Sequence, residues 1–286
     1  MKYQCIVSDL DHTLLGADGR LAPSTAGILR RLMDAGVLFV PATGRPFSAL
    51  PEDIRKLPGI RYAITSNGAS IYDMRTQQPV YASKLPEDAA VRLFQTFTGK
   101  KLAYEAFVDG IAYIGQDYYE DPSVYGVYLS EREIHYIQTT RTPVPDIKAF
   151  ILEHRHELDS LDLMVGDAVK WDIYGRIERE LDNIYVTTSV AHLIEISGKE
   201  SGKHNSVLRL ADMLGLDMSA VVAFGDGDND SQMLKTAGLG VAMGNGSLLC
   251  KQMADIVAES NDRGGVEKVL AEIFSDICRE CRDSEQ

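Results

Sequence analysis

The first 65 residues alternate between short apolar runs and an amphipathic stretch. The runs Cys5–Ser8, Val37–Val40 and Tyr62–Thr65 are typical of strands that are buried on both faces. Between the first two runs, Pro23–Gly36 carries cap signals and apolar positions at helical spacing, which predict a helix. A strand, a helix and a strand in this order form a right-handed βαβ unit, so the strand ends share one edge of a parallel sheet.

Between residues 83 and 189 the pattern mixes hairpins with helices. Asp109-Gly110 separates two alternating segments within Leu102–Ile114, which is a strong hairpin signal. The other elements predicted here are an amphipathic helix at Leu85–Phe97, helical periodicity from Ile147 to Leu158, a strand at Leu161–Val165, a helix at Ala168–Leu181 and a strand at Ile184–Thr188. This mixture indicates a separate α+β domain.

The alternation of buried strands and helices returns after this segment, and we expect the chain to rejoin the first sheet near His192–Ile196. The later predictions are a helix from Lys203 to Leu214, a strand at Ala220–Phe224, a helix from Asn229 through Leu234, a strand at Leu239–Met243 and a helix at Val266–Cys281. The predicted fold class is therefore α/β: a doubly wound parallel sheet formed by residues 1–82 and 190–286, with an α+β domain inserted at residues 83–189.

Two carboxylates follow the first strand. Asp9 and Asp11 are separated by one residue, and their charges repel each other unless a cation or a shared proton lies between them. A divalent metal is one occupant of such a turn. The alternative is an acidic turn that caps the following helix.

Two further positions on this edge fit an anion. The hydroxyl of Thr43 and the amides of the turn with Gly44 are suited to phosphate oxygens, or they cap the next helix. Lys203 begins a helix, where the macrodipole favours an anion, so it indicates either a bound anion or a solvated lysine.

A second acidic turn, Gly225–Asp230, follows the strand at Ala220–Phe224. Its alternating carboxylates resemble a calcium loop, but an EF-hand needs a helix before the loop and a Glu at its twelfth position. Here a strand precedes the loop, so we exclude an EF-hand.

Composition narrows the class of protein. The chain has 286 residues, 45% of them hydrophobic, which is enough for a large buried core. Its net charge of -13 argues against a nucleic-acid partner, and no apolar stretch approaches bilayer length. With no signal peptide pattern and only four cysteines, we expect a cytoplasmic protein without a membrane partner. The Cys278 and Cys281 pair fits a helix surface better than a metal site.

Four polar segments, in this order, resemble the four motifs of the haloacid dehalogenase superfamily of phosphatases: Asp9-Leu10-Asp11-His12-Thr13, Thr43-Gly44-Arg45, Lys203 and Gly225–Asp230. The inserted segment resembles the type IIB cap of the Cof-like branch. The resemblance implies a Rossmann-like core, dependence on Mg²⁺ and hydrolysis of phosphate esters through an aspartyl-phosphate.

The resemblance also implies a role for each acidic residue. Asp9 would be the nucleophile and a metal ligand. Asp11 would protonate the leaving alcohol, activate water and offer its backbone carbonyl to the metal. Asp226 would complete the protein ligands of Mg²⁺, and Asp230 would support them.

The resemblance implies that the phosphate is held at five positions: the Leu10 amide, Thr43, Gly44, Lys203 and Asn229. His12 departs from the family, which commonly has Gly between Asp11 and Thr13.

The expected function is a magnesium-dependent phosphatase of small phosphorylated metabolites, with sugar phosphates as the first class to consider. The leaving alkoxide of an ester benefits from an acid such as Asp11, whereas a halide leaves without a proton. Two alternatives stay open: a phosphomutase of the same superfamily, and a non-catalytic sensor that binds a phosphorylated ligand. The sequence carries no indication of the oligomeric state.

Overall fold

The computed structural model describes residues 2–280. Its strands are β1 (Cys5–Ser8), β2 (Leu38–Pro41), β3 (Tyr62–Thr65), β4 (Ser70–Asp73), β5 (Gln78–Ala82), β6 (Ala103–Val108), β7 (Ile111–Gly115), β8 (Arg141–Val144), β9 (Leu158–Met164), β10 (Ile184–Thr187), β11 (Leu193–Gly198), β12 (Val221–Gly225), β13 (Leu239–Ala242) and β14 (Ile256–Val257). Its helices are α1 (Pro23–Asp34), α2 (Glu52–Arg55), α3 (Ala89–Thr96), α4 (Gln116–Glu120), α5 (Glu131–Thr140), α6 (Ile147–Glu153), α7 (Asp167–Glu180), α8 (Lys203–Leu214), α9 (Ser231–Thr236), α10 (Leu248–Met253), α11 (Gly265–Ile273) and α12 (Ser275–Glu280).

A parallel sheet in the order β14, β13, β12, β1, β2 forms the core of the molecule. Successive residues of β1 point to opposite faces: Ile6 packs in the cluster with α1 and α11, whereas Cys5 and Val7 pack with α8. Helices therefore cover both faces, and the predicted doubly wound core is confirmed. A parallel bridge between Ala42 and Ile64 joins β3 to the end of β2.

A second sheet, in the order β10, β11, β9, β6, β7, β8, forms the inserted cap. Its strands pair antiparallel except for β7 and β8. Helices α3, α6 and α7 pack Leu93, Ile151 and Ile177 into the same apolar cluster as the sheet. The predicted hairpin is present, because Asp109 and Gly110 join β6 to β7 with positive φ angles of 48° and 76°. The cap is thus the α+β domain that the sequence predicts.

Two predictions in the middle of the chain are wrong. The segment His192–Ile196 does not rejoin the parallel sheet, because β11 pairs antiparallel with both β9 and β10. Leu158 does not continue the helix that begins at Ile147; it starts β9, and its side chain is fully buried in the cap. The boundaries 1–82, 83–189 and 190–286 remain predictions, and β11 places residues up to Gly198 in the cap sheet.

Several elements differ from the pattern in the sequence. The pattern of apolar and polar positions does not predict the hairpin β4–β5, α5 or β8. The helix expected at Leu85–Phe97 is the shorter α3, and the final helix is divided into α11 and α12. Cys281 lies outside the described residues. Among residues 2–280, no helix has both the length and the apolar character that crossing a membrane requires.

Candidate active site

A lysine lies between two aspartates at the carboxyl ends of β1 and β12. Asp9 follows β1, Asp230 lies in the turn after β12, and Lys203 is the first residue of α8. The Lys203 Nζ donates hydrogen bonds to Asp9 Oδ1 at 2.6 Å and to Asp230 Oδ1 at 2.7 Å. All three side chains are buried. Each buried charge therefore has a partner of opposite sign, which offsets part of its desolvation cost.

Asp226 brings a third carboxylate to this edge. One carboxylate oxygen from each of Asp9, Asp226 and Asp230 lies within 4.8 Å of the other two. Thr13 Oγ1 donates to Asp226 Oδ1 at 2.5 Å, and the amides of Asp226 and Gly227 donate to Asp230 Oδ2 at 3.0 Å. These contacts fix the carboxylates in place. Three hard oxygen donors at this spacing fit a small divalent cation such as Mg²⁺.

The electrostatics of the cluster favour a cation. Burial raises the pKa of Asp9 well above its usual value, although the charge of Lys203 lowers it. Burial and the charge of Asp230 raise the pKa of Asp226 to about 6. Burial alone would lower the pKa of Lys203, but Asp230 and Asp9 raise it, so the amine stays protonated. A further positive charge would relieve the repulsion that remains among the carboxylates.

Asp11 pairs with Arg45, away from the three clustered carboxylates. Arg45 Nε and Nη2 donate to the two Asp11 oxygens at 2.7 and 2.6 Å. Burial would raise the pKa of Asp11, but the hydrogen bonds and the charge of Arg45 lower it below its usual value. The guanidinium of Arg45 also lies 4.6 Å from the ring centroid of Tyr136, on the cap helix α5. Arg45 therefore joins Asp11 of the core to the cap.

The backbone explains the departure at His12. Its φ is 60°, in the left-handed region that glycine adopts without a steric penalty. Histidine is among the residues that tolerate this region. The carbonyl of His12 accepts a hydrogen bond from Asn245 Nδ2 at 2.8 Å, which holds the turn. His12 thus occupies a left-handed position at which glycine would meet no steric penalty.

The turn after β2 lies beside the aspartates. The Thr43 carbonyl accepts from the Asn67 amide at 3.1 Å, and Thr43 Oγ1 accepts from the Arg45 amide at 3.1 Å. Asn229 Nδ2 donates to Asn67 Oδ1 at 2.9 Å, which connects this turn to the one after β12. Thr43, Gly44 and Asn229 line the same cavity as the aspartates. Their hydroxyl, amide and carboxamide donors suit the oxygens of a phosphate.

The cavity lies between this edge and the cap and has a volume of about 430 Å³. Its core side, here called the floor, is formed by the three aspartates and by the turns after β1, β2 and β12. Its cap side includes Glu105 on β6, Asp162 on β9 and Glu195 on β11, three buried carboxylates here called the roof. None of the three roof residues belongs to a motif in the sequence.

The structure brings the predicted site residues together. Seven of them line the cavity: Asp9, Asp11, Thr43, Gly44, Asp226, Asn229 and Asp230. Lys203 contacts two of the seven, and Leu10 lies between Asp9 and Asp11 with a fully buried side chain. Asp11 lines the cavity but lies outside the cluster of three carboxylates, and its side chain is paired with Arg45. The chemical role of each residue stays a prediction.

Comparison with known families decides the class of protein. A family model of haloacid dehalogenase-like hydrolases matches residues 6–270. The chain belongs to this family. The match runs through the core and the cap of this hydrolase, and the predicted resemblance is confirmed.

Relatives of this hydrolase cover nearly its whole length. A putative phosphatase from Buchnera aphidicola subsp. Baizongia pistaciae is 29% identical over 251 residues, 87% of this chain and 90% of the relative. A 5-amino-6-(5-phospho-D-ribitylamino)uracil phosphatase from Bacillus subtilis is 26% identical over 290 residues, 96% of this chain and 98% of the relative.

A solved structure supports the type of cap. It is described as a sugar phosphatase of subclass IIB in the same superfamily, and it matches this hydrolase with a TM-score of 0.75 at 20% identity. The match covers 95% of this chain and 99% of that one, so it includes the cap. At this identity the likeness concerns the fold, and it confirms the type IIB cap predicted for the Cof-like branch.

Proposed function

We propose that the protein is a magnesium-dependent phosphatase that hydrolyses small phosphorylated metabolites through an aspartyl-phosphate. The observation that carries this proposal is the floor itself, where Lys203 bridges Asp9 and Asp230 beside Asp226. Relatives named phosphatases cover nearly the whole chain, which supports a phosphoric monoester hydrolase. Phosphoryl transfer depends mainly on positioning and on neutralising charge, and this site is built for both.

Asp9 and Asp226, together with the backbone carbonyl of Asp11, would hold Mg²⁺. Asp230 would support them, because Lys203 and two backbone amides already occupy its oxygens. When bound, the ion supplies positive charge that stabilises the transferring phosphoryl group. The chain contributes the oxygen donors, and the cap covers them on the other side of the cavity.

Asp9 would carry the phosphoryl group between two steps. Its carboxylate attacks phosphorus, the bond from phosphorus to the ester oxygen breaks, and the leaving oxygen takes a proton from Asp11. Water then attacks the aspartyl-phosphate while Asp11 accepts a proton, so Asp9 is freed and inorganic phosphate is released. The Leu10 amide, Thr43, Gly44, Lys203 and Asn229 would hold the phosphate oxygens throughout.

Arg45 sets the proton state of Asp11. Its two hydrogen bonds hold the pKa of Asp11 below the usual value, so the arrangement described here favours the base form. The base form is the one that the hydrolytic step needs. Protonation of the leaving group requires a protonated Asp11, and Arg45 must therefore release it before the first step.

The size of the cavity supports a small substrate. A volume of about 430 Å³ under a cap fits a small metabolite rather than a polymer. One relative is named for a phosphorylated ribityl compound, which is of this size. Sugar phosphates and related polyol phosphates are the first class to test.

Hydrolysis of p-nitrophenyl phosphate tests the proposal. With Mg²⁺ in excess we expect turnover, and EDTA should lower the rate by at least about 100-fold because the cation's charge stabilisation is lost. Adding Mg²⁺ back should restore the rate. Equal rates with Mg²⁺ and with EDTA would refute the metal requirement. Inorganic phosphate released in proportion to substrate consumed distinguishes a phosphatase from a phosphomutase.

A further inference from the structure

The roof places three carboxylates side by side on adjacent strands. Glu105 and Asp162 are register partners on β6 and β9, and Asp162 and Glu195 are register partners on β9 and β11. Side chains in such positions have Cβ atoms about 4.5–5.5 Å apart, and like charges there are destabilising. Asp162 therefore has a carboxylate neighbour on each side.

These carboxylates are buried, and two of them lack a cation. The exposed fractions are 4% for Glu105, 2% for Asp162 and 5% for Glu195. Arg141 Nε lies 2.6 Å from Glu105 Oε1, an ion pair that lacks hydrogen-bond geometry. Glu195 Oε1 accepts from the neutral amide of Asn67 at 2.7 Å. Within residues 2–280, no donor reaches Asp162 Oδ1, and the donors to Glu195 are neutral: the Asn67 amide and the Ser189 hydroxyl.

Two of the arginines that line the cavity are paired with other carboxylates. Arg45 holds Asp11, and Arg141 holds Glu105. The Lys170 amine donates to the Val190 carbonyl at 2.6 Å and to the Thr188 hydroxyl, so it is directed to the backbone beside the roof. Among the described residues, Asp162 and Glu195 are consequently the two roof carboxylates that form no ion pair.

We propose that Asp162 and Glu195 bind an amino group on the leaving alcohol, so that the substrates are phosphate monoesters of amino alcohols, amino sugars included. This inference rests on the proposed phosphatase function. A buried carboxylate without a partner is costly, and an ammonium group offers both opposite charge and hydrogen-bond donors. A hydroxyl group would supply a hydrogen bond but no compensating charge.

The titration of the roof supports this assignment. Burial raises the pKa of Asp162 well above its usual value, and the charges of Glu195 and Glu105 raise it further, although the charge of Arg141 lowers it. Burial also raises the pKa of Glu195, although the hydrogen bonds from Asn67 and Ser189 and the charges of Lys203 and Lys170 lower it. Both groups are therefore strained as anions in the absence of a cation.

The roof and the phosphate turn are close enough for one small molecule. A Cβ atom on Gly44 would lie 3.1 Å from Glu195 Oε1, so Glu195 lies against the turn proposed to hold the phosphate. Asn67 connects the two sides, because it donates to Glu195 and accepts from Asn229. A compact ester can thus place its phosphate on the floor and its amine at the roof.

Matched pairs of substrates test this inference. One pair is glucosamine 6-phosphate and glucose 6-phosphate; the other is 2-aminoethyl phosphate and 2-hydroxyethyl phosphate. We expect kcat/KM to be at least about 10-fold higher for the amine in either pair, because only the amine neutralises the roof. Asp162→Asn should bring that ratio close to one. Ser160→Ala, a buried change on the same strand but outside the cavity, should leave the ratio as it is.

The result separates this inference from the proposed function. If p-nitrophenyl phosphate is hydrolysed but neither amine is preferred, or if Asp162→Asn keeps the preference, the amine site is refuted and the phosphatase stands. If p-nitrophenyl phosphate is not hydrolysed, the phosphatase assignment fails. Calorimetry with the Asp9→Asn variant and Mg²⁺ then compares the affinities of the same pairs without turnover, and equal affinities would refute the amine site.

Discussion

The floor and the roof of the cavity each carry three carboxylates, two of them buried on the floor and all three on the roof, but the chain compensates the two sets differently. On the floor, Lys203 bridges Asp9 and Asp230, and Thr13 donates to Asp226. On the roof, Arg141 pairs with Glu105 alone, and Asp162 has no donor at Oδ1 among the described residues. Donors of the chain thus compensate most of the carboxylate charge on the floor, whereas ionised carboxylates on the roof would need a ligand to compensate them.

This difference separates the reaction from the choice of substrate. Every phosphate ester presents the same phosphoryl group, so the floor can be prepared in advance for one charge distribution. The leaving group differs from substrate to substrate, and its binding supplies the contacts that the roof lacks. Buried groups left unsatisfied in the free protein discriminate strongly, because a ligand without the matching group leaves them unpaired.

The largest expected effect comes from the floor. Asp9→Asn removes the proposed nucleophile at nearly constant volume, and we expect kcat for p-nitrophenyl phosphate to fall by at least about 10⁴-fold. Asp228→Asn is the matched control, because Asp228 lies in the acidic turn after β12, at the same edge of the sheet, but outside the cluster of three carboxylates. We expect the control to keep kcat within about threefold of the parent. Retention of substantial activity by Asp9→Asn would show that another group carries the phosphoryl transfer.

The floor could be predicted from the sequence because its residues follow apolar runs directly. Asp9 and Asp226 each come one residue after a buried strand, and the βαβ rule places parallel strand ends on one edge. Lys203 was recognisable as a cation at the start of a helix, where it is unfavourable without an anion. Its bridge between Asp9 and Asp230 was not, because that contact depends on the packing of α8 against the sheet.

The roof could not be predicted because its residues meet only through strand pairing. Glu105, Asp162 and Glu195 lie on β6, β9 and β11, and the spatial order of these strands differs from their order in the chain. A polar residue within an antiparallel strand is ordinarily on the solvated face, so none of the three is recognisable from the sequence as a site residue. The assignment of the segment with Glu195 to the parallel sheet also separated it from its two partners.

The second-largest effect is expected when the floor loses the cation that neutralises Asp9 and Asp230. Lys203→Met leaves Asp9 and Asp230 buried without their shared cation, and we expect the free energy of unfolding to fall by about 3–5 kcal/mol. Urea denaturation in EDTA measures this loss without a contribution from bound metal. Lys56→Met is the control, because Lys56 and Glu52 form an exposed pair one helical turn apart. Such pairs contribute about 0–1 kcal/mol, and equal losses in both variants would mean that burial gives the Lys203 pair no special weight.

The smallest expected effect is a gain in stability. Removing a charge from the floor should destabilise the folded protein, whereas removing a carboxylate charge from the roof should stabilise it. The pKa of Asp162 is raised in the folded protein, so folding disfavours its charged form. The resulting loss of stability is complete at a pH above the pKa of the folded state and disappears at a pH below the pKa of the unfolded state. Asp162→Asn removes that penalty, and we expect the free energy of unfolding at pH 8 to rise by about 1–3 kcal/mol. Urea denaturation without ligand should show this difference in the free energy of unfolding shrinking as the pH falls toward 4. Asp172→Asn, at an exposed position of α7, is the control and should change the free energy of unfolding little at either pH. A variant less stable than the parent at pH 8 would mean that the Asp162 carboxylate is already compensated, and the contrast between floor and roof would then be wrong.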